Sequence, residues 1–552
     1  MEVILARRPR SPRRLMLFGA LALVGLAGLL VDLFTVGPFV SAAPTEKRQP
    51  RPIANTDLNP IGVNIFLDRD AEDWKKRRTM EMIAAAGIGW VKQQFSWAEI
   101  EPRPGYFWDE LAGRSSWAKY DRIVELAEEY GLQVIARVDR PPDWARAPGS
   151  DIRSAPLDPH TYADFIYTFV EHYRGRIHYI QIWNEPNLDI EWRPGFPVNA
   201  REYTTMLQMA YERAKEADPN VQILSAPLAF RTSDDPYRLA VSDLTYLEEM
   251  YRAGAAPYFD IMTANAYGID DPPEAAPDPG RLNFRRVELL RLIMEKYGDG
   301  EKAVWFNEYG WNAAPPDMPT EQLIWGRVTE EQQARYTVQG IAYAREHWPW
   351  AGVISIWYFR QELVPPTMAE YYFRMVNPDF TPTPMYAAVR DYAADLDKAM
   401  PGWYEESAAP VRRRGNWQPI YDPTRSGGAY LSSTEPGSRM VWTFLGSDLA
   451  LLLRRGPDAG RLLVTVDGIS GRGTALPRDK FGQAYLDLYH PSEEWVQVAL
   501  IEGLERELPP QYHRLELSVA EDKDPRSQGH RCAIDGFAVD YRRSYALFGA
   551  LS

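Results

Sequence analysis

From about Leu58 to Met400, the chain alternates short apolar runs with longer amphipathic stretches. Eight of the apolar runs have the length and residue types that strands favour. They are IGVNI at 61, IGWVKQQF at 88, LQVIARV at 132, IHYIQIW at 177, VQILSA at 221, FDIMTANAY at 259, KAVWFNE at 302 and AGVISIWYF at 351. Alternation of this kind is typical of repeated βα units.

Eight amphipathic stretches accompany these runs, and each fits a helix. The stretches DWKKRRTMEMIAAAG and WAKYDRIVELAEEYG both end at glycine, the residue that helix C-termini favour. The others are HTYADFIYTFVEHYRG, AREYTTMLQMAYERAKEADP, LTYLEEMYRAG, FRRVELLRLIMEKYG, TEEQQARYTVQGIAYAREHW and PMYAAVRDYAADLDKAM. The pattern predicts an α/β fold, a (β/α)8 TIM barrel over 58–400 with enlarged loops. A doubly wound sheet would alternate in the same way, but no glycine-rich phosphate-binding loop follows the first strand.

The sequence after Met400 changes character. Proline, glycine and charged residues over 401–415 predict a linker, and 416–545 carries short strand-like runs between glycine, proline and aspartate turns. This spacing predicts a C-terminal all-β, jelly-roll-like sandwich. GRLLVTVDG and IDGFAVDY resemble galactose-binding-like jelly rolls of the carbohydrate-binding-module kind, which would imply a sugar-binding domain. A β domain that only supports the barrel is an equally good interpretation.

The N-terminal segment 1–43 predicts export. An arginine-rich flank precedes the apolar run LMLFGALALVGLAGLLV, and Val40-Ser41-Ala42 offers a small-residue cleavage site. The run just reaches membrane-spanning length, so a cleaved signal peptide and an uncleaved anchor helix are both open. With 44–57 as a linker, we expect an extracellular or cell-surface protein, with the membrane as a partner only if the segment stays attached.

Composition narrows the function of this chain of 552 residues. The formal net charge of -14 argues against a nucleic-acid partner, because phosphate contacts need clustered lysine and arginine. The 18 tryptophans and 31 tyrosines supply flat apolar faces that suit sugar rings, although many must belong to the core. Because Cys532 is the single cysteine and there is no HExxH motif, we expect no disulfide, catalytic metal or cofactor.

Two glutamates end predicted barrel strands. Glu185 follows the fourth strand and Glu308 ends the seventh, so both should project into the mouth at the carboxyl end of the barrel. Glycoside hydrolysis needs such a pair, one carboxyl to protonate the leaving oxygen and one to attack or stabilise the sugar carbon. Either glutamate alone could pair with an arginine or cap a helix, so the pair carries the hypothesis.

The stretches IWNEPN and FNEYGW resemble the signatures of clan A glycoside hydrolases, the retaining (β/α)8 enzymes that include cellulase-like and β-xylosidase-like families. The resemblance implies that Glu185 is the acid/base and Glu308 the nucleophile. It also implies that Asn184 binds the 2-hydroxyl, that Tyr267 hydrogen-bonds the nucleophile and that Trp357 floors the −1 sugar site.

The chain departs from that clan at two positions. Asn265 stands where a histidine is common, and Lys92, Gln93 and Gln94 stand near the end of the second strand, where an arginine is common. These departures bear on the subfamily more than on the chemistry.

Further aromatic and basic residues follow the second, third and fourth strands. Trp97 and Arg137, together with Asp139 and Trp144, could line sugar subsites, and Trp192 could stack on a leaving-group sugar. Loop packing or surface ion pairing is about as good an interpretation for each.

The sequence therefore predicts an exported retaining glycosidase that cleaves a β-linked oligosaccharide or polysaccharide. Two alternatives stay open. One is a surface saccharide-binding protein on a glycosidase scaffold, and the other is a transglycosylase in exopolysaccharide processing. The sequence makes no prediction of oligomeric state.

Overall fold

An eight-stranded parallel sheet forms the first part of the molecule. A computed structural model describes residues 53–504 and 511–540. The strands are β1 Ile61–Ile65, β2 Trp90–Ser96, β3 Gln133–Asp139, β4 Tyr179–Ile182, β5 Gln222–Leu224, β6 Met262–Tyr267, β7 Val304–Gly310 and β8 Ala351–Ile356. Their order in the sheet is β5-β4-β3-β2-β1-β8-β7-β6. A parallel bridge between Leu224 and Ile261 joins the two edges, so the sheet forms a nearly closed barrel.

Eight helices alternate with these strands, as the sequence predicts. They are α1 Asp73–Ala85, α2 Ala118–Glu129, α3 Pro159–His172, α4 Ala200–Ala217, α5 Asp243–Arg252, α6 Val287–Lys296, α7 Glu330–His347 and α8 Pro384–Leu396. The prediction of a (β/α)8 barrel is confirmed. The start of α3 is determined by its first residues. The Asp158 side chain accepts a hydrogen bond from the His160 amide, and Pro159 occupies the first helical position.

Aromatic side chains close the N-terminal end of the barrel. Trp90 begins β2, Tyr179 begins β4 and Trp305 is the second residue of β7. Their rings meet inside the barrel, with centroids 5.1 Å apart for Trp90 and Tyr179 and 4.8 Å apart for Tyr179 and Trp305. This end is therefore a packed core, which leaves the carboxyl ends of the strands for a binding site.

Two sheets of mainly antiparallel strands form the C-terminal part of the molecule. Its strands are β9 Lys398–Ala399, β10 Gly402–Glu405, β11 Arg412–Arg414, β12 Gln418–Tyr421, β13 Ala429–Ser433, β14 Arg439–Leu445, β15 Asp448–Arg455, β16 Arg461–Val466, β17 Ile469–Ser470, β18 Tyr485–Asp487, β19 Glu494–Ile501, β20 Tyr512–Val519 and β21 Cys532–Asp540. One sheet has the order β9-β14-β20-β16-β17, with β11 on β14 and β18 on β16. The other has the order β12-β13-β21-β15-β19, with β10 on β21. Trp442 and Phe537 meet across the two sheets at 4.6 Å, so the predicted sandwich is confirmed.

The expected linkers need correction, because parts of both are integral to the fold. In 401–415, β10 pairs with β21 and β11 pairs with β14. Glycine, proline and charge suggested a linker, but Tyr404 stacks on Phe537 at 5.1 Å inside the sandwich. Within 44–57, the Asn55 carbonyl accepts a hydrogen bond from Trp305 Nε1 at 2.9 Å. Residues 53–57 therefore cover the closed end of the barrel.

The expected signal or anchor segment 1–43 lies outside the described residues, as do 505–510 and 541–545 of the expected sandwich. Among the helices that the structure describes, none combines the length and apolarity that crossing a bilayer requires.

Candidate active site

A cleft of about 750 Å³ opens at the carboxyl ends of the barrel strands. Five side chains that the sequence assigns to the catalytic centre line it together: Asn184, Glu185, Tyr267, Glu308 and Trp357. They come from the ends of β4, β6, β7 and β8 or from the residues just beyond them. The barrel therefore brings together residues that are up to 173 positions apart in the chain (357 − 184 = 173).

The backbone around Glu185 has an uncommon conformation. Trp183 has φ 74° and Glu185 has φ 42°, both in the left-handed region that residues with a Cβ rarely occupy. The turn is held on both sides of the acid, because the Glu185 amide donates to the Pro227 carbonyl at 3.0 Å and the Leu188 amide donates to the Glu185 carbonyl at 3.0 Å. Such strain is found where a side chain must be aimed at a site.

Trp183 and Trp192 support this turn from behind. Trp183 Nε1 donates to the Glu191 carbonyl at 2.8 Å, and the two indole rings meet edge to face at 5.8 Å. Trp192 is 2 % exposed and lies outside the cleft. The expectation that it stacks on a leaving-group sugar is therefore wrong: the loop after β4 folds this apolar ring into the core.

Trp97 needs the same correction. Its side chain is completely buried, its ring stacks on Phe165 at 5.2 Å, and its Nε1 donates to Glu101 Oε2 at 2.7 Å. Trp144 meets it edge to face and donates to the Glu101 carbonyl. These tryptophans pack the barrel wall below the cleft and line no sugar subsite.

Glu308 is held from the neighbouring strand. The Tyr267 hydroxyl donates to Glu308 Oε2 at 2.7 Å. Burial, followed by the negative charge of Glu308, raises the pKa of Tyr267 well above its usual value. The phenol therefore keeps its proton and donates it in the hydrogen bond to the Glu308 carboxyl group.

Asn265 holds Glu185 and is itself held by Asn307 of β7. Its Nδ2 donates to Glu185 Oε1 at 2.7 Å, and its Oδ1 accepts from Asn307 Nδ2 at 3.1 Å. The parallel register of β6 and β7 places Asn265 opposite Glu308. The side-chain amide of Asn265 donates the hydrogen bond to Glu185 and does not itself titrate.

The two glutamates lie in contrasting environments. The pKa of Glu185 is raised to about 8, first by burial and then by the negative charges of Glu308 and Glu191, against the opposing charges of Arg137 and Lys92. Glu185 is therefore protonated at neutral pH. A carboxylic acid in that state, beside a second carboxyl that accepts a tyrosine hydrogen bond, is the arrangement that acid-assisted displacement needs.

Two basic residues from β2 and β3 share the floor of the cleft. Lys92 is 4 % exposed, and burial lowers its pKa to about 7, although the negative charge of Glu308 opposes that shift. Arg137 forms an ion pair with Asp139 at 2.6 Å, and Asp139 also accepts from Gln94 Nε2 at 2.6 Å. The expected position of Arg137 in the site is thus observed, with its guanidinium already paired.

Asn184 and Trp357 both line the cleft. Asn184 is 6 % exposed, and its Oδ1 has no hydrogen-bond partner among the described residues. A buried amide oxygen without a partner is a suitable acceptor for a ligand hydroxyl. The Trp357 ring stands perpendicular to Phe66, with centroids 5.5 Å apart, and the Trp357–Tyr358 peptide bond is cis.

Sequence reasoning missed several residues that line the cleft. Those in the first residues after a strand could have been found from the strand-end rule that identified the glutamates; they are Phe66 and Arg140, which follow a strand directly, and Arg69, Phe230 and Arg231, which come a few residues later. Others lie in long loops, where no periodicity locates them; they are Arg153, Glu191, Trp325 and Glu370. The cleft is therefore richer in arginine than the sequence analysis anticipates.

No protein-family model matches the chain, and neither does any curated protein. Among solved structures, a family 39 glycoside hydrolase from Bacteroides cellulosilyticus WH2 is 17% identical, over 85% of this chain and 82% of that chain, with a TM-score of 0.46. A family 39 β-xylosidase from Caulobacter crescentus is 14% identical, over 86% and 98%, with a TM-score of 0.45. XacCel5A in complex with cellopentaose is 12% identical, over 61% and 99%, with a TM-score of 0.40.

The TM-scores of all three structures lie below 0.5. Similarity at this level concerns the shape of the chain. It does not carry over a substrate or a reaction.

Proposed function

We propose that the protein is a retaining glycoside hydrolase that cleaves a β-linked saccharide by double displacement. The observation that carries the proposal is the pair of glutamates in one cleft, with Glu308 hydrogen-bonded by Tyr267 and Glu185 buried, which raises its pKa. A site that only binds sugar does not need an acid matched to a nucleophile.

In the first displacement, Glu308 attacks the anomeric carbon. The bond from that carbon to the leaving oxygen breaks, and Glu185 transfers its proton to this oxygen. The product is a glycosyl-enzyme ester on Glu308, and the leaving sugar departs with the proton. Asn184 offers its free amide oxygen to a hydroxyl of the reacting sugar.

The second displacement depends on the loss of the Glu308 charge in the first one. Glu308 carries no charge in the ester, so one cause of the raised pKa of Glu185 is lost. Glu185 is now a carboxylate and takes a proton from water, whose oxygen attacks the anomeric carbon. The ester bond breaks, Glu308 leaves as a carboxylate, and both groups return to their starting states.

The basic and apolar N-terminal segment supports export as part of this proposal. The enzyme would then meet its saccharide outside the cell or at its surface.

The test is product stereochemistry in a panel of aryl β-glycosides and β-linked polysaccharides. Proton NMR of the first product is expected to show the β-anomer, formed before mutarotation. An α-anomer as first product would contradict double displacement. Binding without turnover across the panel would favour the saccharide-binding alternative.

The hydrogen bond from Tyr267 to Glu308 gives a first prediction. In Tyr267→Phe, kcat/KM is expected to fall by roughly 10- to 100-fold, because a hydrogen bond to a charged group contributes about 1.5–3 kcal/mol. Most of the loss should appear in kcat. The control is Tyr297→Phe, which removes a hydroxyl that contacts Glu248 on the outer helices. An equal loss in both variants would mean that the effect is general destabilisation.

The charge of the cleft suggests a preference for acidic sugars. Arg140 and Arg231 line the cleft, and no carboxylate oxygen lies within 4.0 Å of either guanidinium among the residues that the structure describes. Burial lowers the pKa of Arg140, and Arg231 Nε is buried without a hydrogen-bond partner. They follow β3 and β5, the two neighbours of β4, which leads to Glu185. An anionic substituent on a sugar bound beside Glu185 would pair with them.

We therefore expect Arg140→Met to lower the ratio of kcat/KM for a uronate-containing substrate to kcat/KM for its neutral counterpart by roughly 10-fold or more. The ratio cancels effects on folding and on the acids. Arg201→Met, which replaces an exposed arginine on α4, is the control and should leave the ratio as it is. Equal losses on both substrates in Arg140→Met would remove the charge preference from the proposal without affecting the hydrolase function.

A further inference from the structure

Three acidic side chains meet inside the molecule, far from the cleft in the fold. Glu405 ends β10, Glu406 follows it, and Asp535 lies in β21, the strand that pairs with β10. Their exposures are 3 %, 4 % and 1 %. One carboxylate oxygen from each lies within 4.8 Å of the other two.

The known contacts leave part of this cluster unsatisfied. Glu405 Oε1 accepts from Ser426 Oγ at 2.9 Å and from Trp403 Nε1 at 3.1 Å, and Asp535 Oδ2 accepts from the Ser426 amide at 3.4 Å. The other oxygens, Glu405 Oε2 and Asp535 Oδ1, are buried and have no hydrogen-bond partner in the described part of the chain. Two carboxylate oxygens of the cluster are therefore buried without a donor from the described residues.

No protein cation pairs with the cluster. Over 53–504 and 511–540, no lysine, arginine or histidine nitrogen lies within 4.0 Å of the three carboxyls. Arg413 and Arg425 act on Glu406 and Asp535 from farther away. Because the three side chains are at most 4 % exposed, holding negative charge there costs free energy. Buried carboxylates are otherwise found paired or bound to a metal.

We propose that Glu405, Glu406 and Asp535 bind a divalent cation of the calcium type. Calcium takes oxygen ligands at about 2.3–2.6 Å, so ligands on opposite sides of the ion are about 4.6–5.2 Å apart. One carboxylate oxygen from each of the three residues lies within 4.8 Å of the other two, so all three can reach one ion of this size. Magnesium needs bonds of about 2.0–2.1 Å and a tighter octahedron. Zinc prefers nitrogen and sulfur ligands, and none belongs to the cluster.

The position of the site gives it a structural role. The ion joins β10, β21 and the turn at Ser426. The Glu405 amide also donates to Asp57 Oδ2 at 3.2 Å, and Asp57 belongs to the segment that leads into β1. The cation therefore fixes the sandwich to the closed end of the barrel. This role does not depend on the proposed glycosidase activity.

The test uses the purified full chain, stripped of metal with a chelator and titrated with calcium chloride. Calorimetry is expected to show one ion per chain, and the thermal midpoint is expected to rise by roughly 3 °C or more at saturation. Magnesium chloride at the same concentration should give a smaller rise. If calcium at up to about 10 mM neither binds nor shifts the thermal midpoint, the proposal is wrong and the carboxyls are held as protonated acids.

Two variants locate the site. Asp535→Asn should weaken calcium binding at least 10-fold, because it replaces an unpaired carboxylate oxygen with a weaker ligand. Glu435→Gln removes an exposed carboxylate from the same domain and should bind as the parent does. Calcium bound equally well by both variants would place the ion elsewhere and overturn the assignment. If Asp535→Asn does not fold, Glu405→Gln is used for the same comparison.

Discussion

Glu308→Gln is expected to lose hydrolysis by roughly 10⁴-fold or more in kcat, because it removes the carboxylate oxygen that attacks the anomeric carbon. The glutamine keeps the size of the side chain and can still contact Tyr267, so the variant should fold. Initial rates on an aryl β-glycoside that the parent cleaves give the measurement. Glu301→Gln, an exposed change just before β7, is the matched control and should retain activity.

Chemical rescue separates loss of the nucleophile from loss of structure. In Glu308→Ala, azide can enter the space of the missing carboxylate and attack the anomeric carbon from that side, which yields an α-glycosyl azide. A trapping experiment on the parent complements it: a 2-deoxy-2-fluoro glycosyl reagent should label Glu308, identified by peptide mapping. Label on another residue, or rescue that gives the β-azide, would rule out Glu308 as the nucleophile.

Glu185→Gln is expected to lower kcat/KM by roughly 10²- to 10⁴-fold for substrates with poor leaving groups, which need the proton. Aryl glycosides with strongly acidic phenols leave without protonation, so their glycosylation step should be nearly unaffected. Glu171→Gln, an exposed change at the end of α3, is the control. A loss that is the same for good and poor leaving groups would mean that Glu185 is not the acid.

The pH dependence of kcat/KM follows from the direction in which the pKa of Glu185 is shifted. The pKa of Glu185 is raised to about 8, so its proton is present below about pH 8 and is lost as the pH rises through that value. In the parent, kcat/KM for poor leaving groups should therefore fall on the alkaline side with an apparent pKa near 8. The limb should disappear in Glu185→Gln. A limb that persists in the variant would assign it to another group, with Lys92 the first candidate.

The alternation of apolar and amphipathic segments was sufficient to predict the barrel and both glutamates. Continuous apolar strands and helices with a 3.6-residue apolar period are local consequences of which side chains must be buried, so both patterns can be recognised without knowing any contact. The strand-end rule then located Glu185 and Glu308, because every parallel strand of a barrel ends on the same face.

Side-chain direction and long-range contacts could not be obtained in that way. Trp97 and Trp192 follow strands as Trp357 does, yet they are buried in the core, because the orientation of a loop ring depends on what packs above it. The segment 401–415 has the composition of a linker, but it pairs with strands more than 20 residues distant in sequence.

What the sequence alone determined was the order of the elements, the fold class and the identity of the two acids. The resemblance already implied which glutamate is the acid, but only the tertiary structure supplies the physical cause, since the raised pKa of Glu185 depends on its burial and on Glu308, which is 123 residues away (308 − 185 = 123). It also decided that Glu405, Glu406 and Asp535 share one buried space. Burial and electrostatic coupling act through distances in space, and distances between remote residues exist only once the chain is folded.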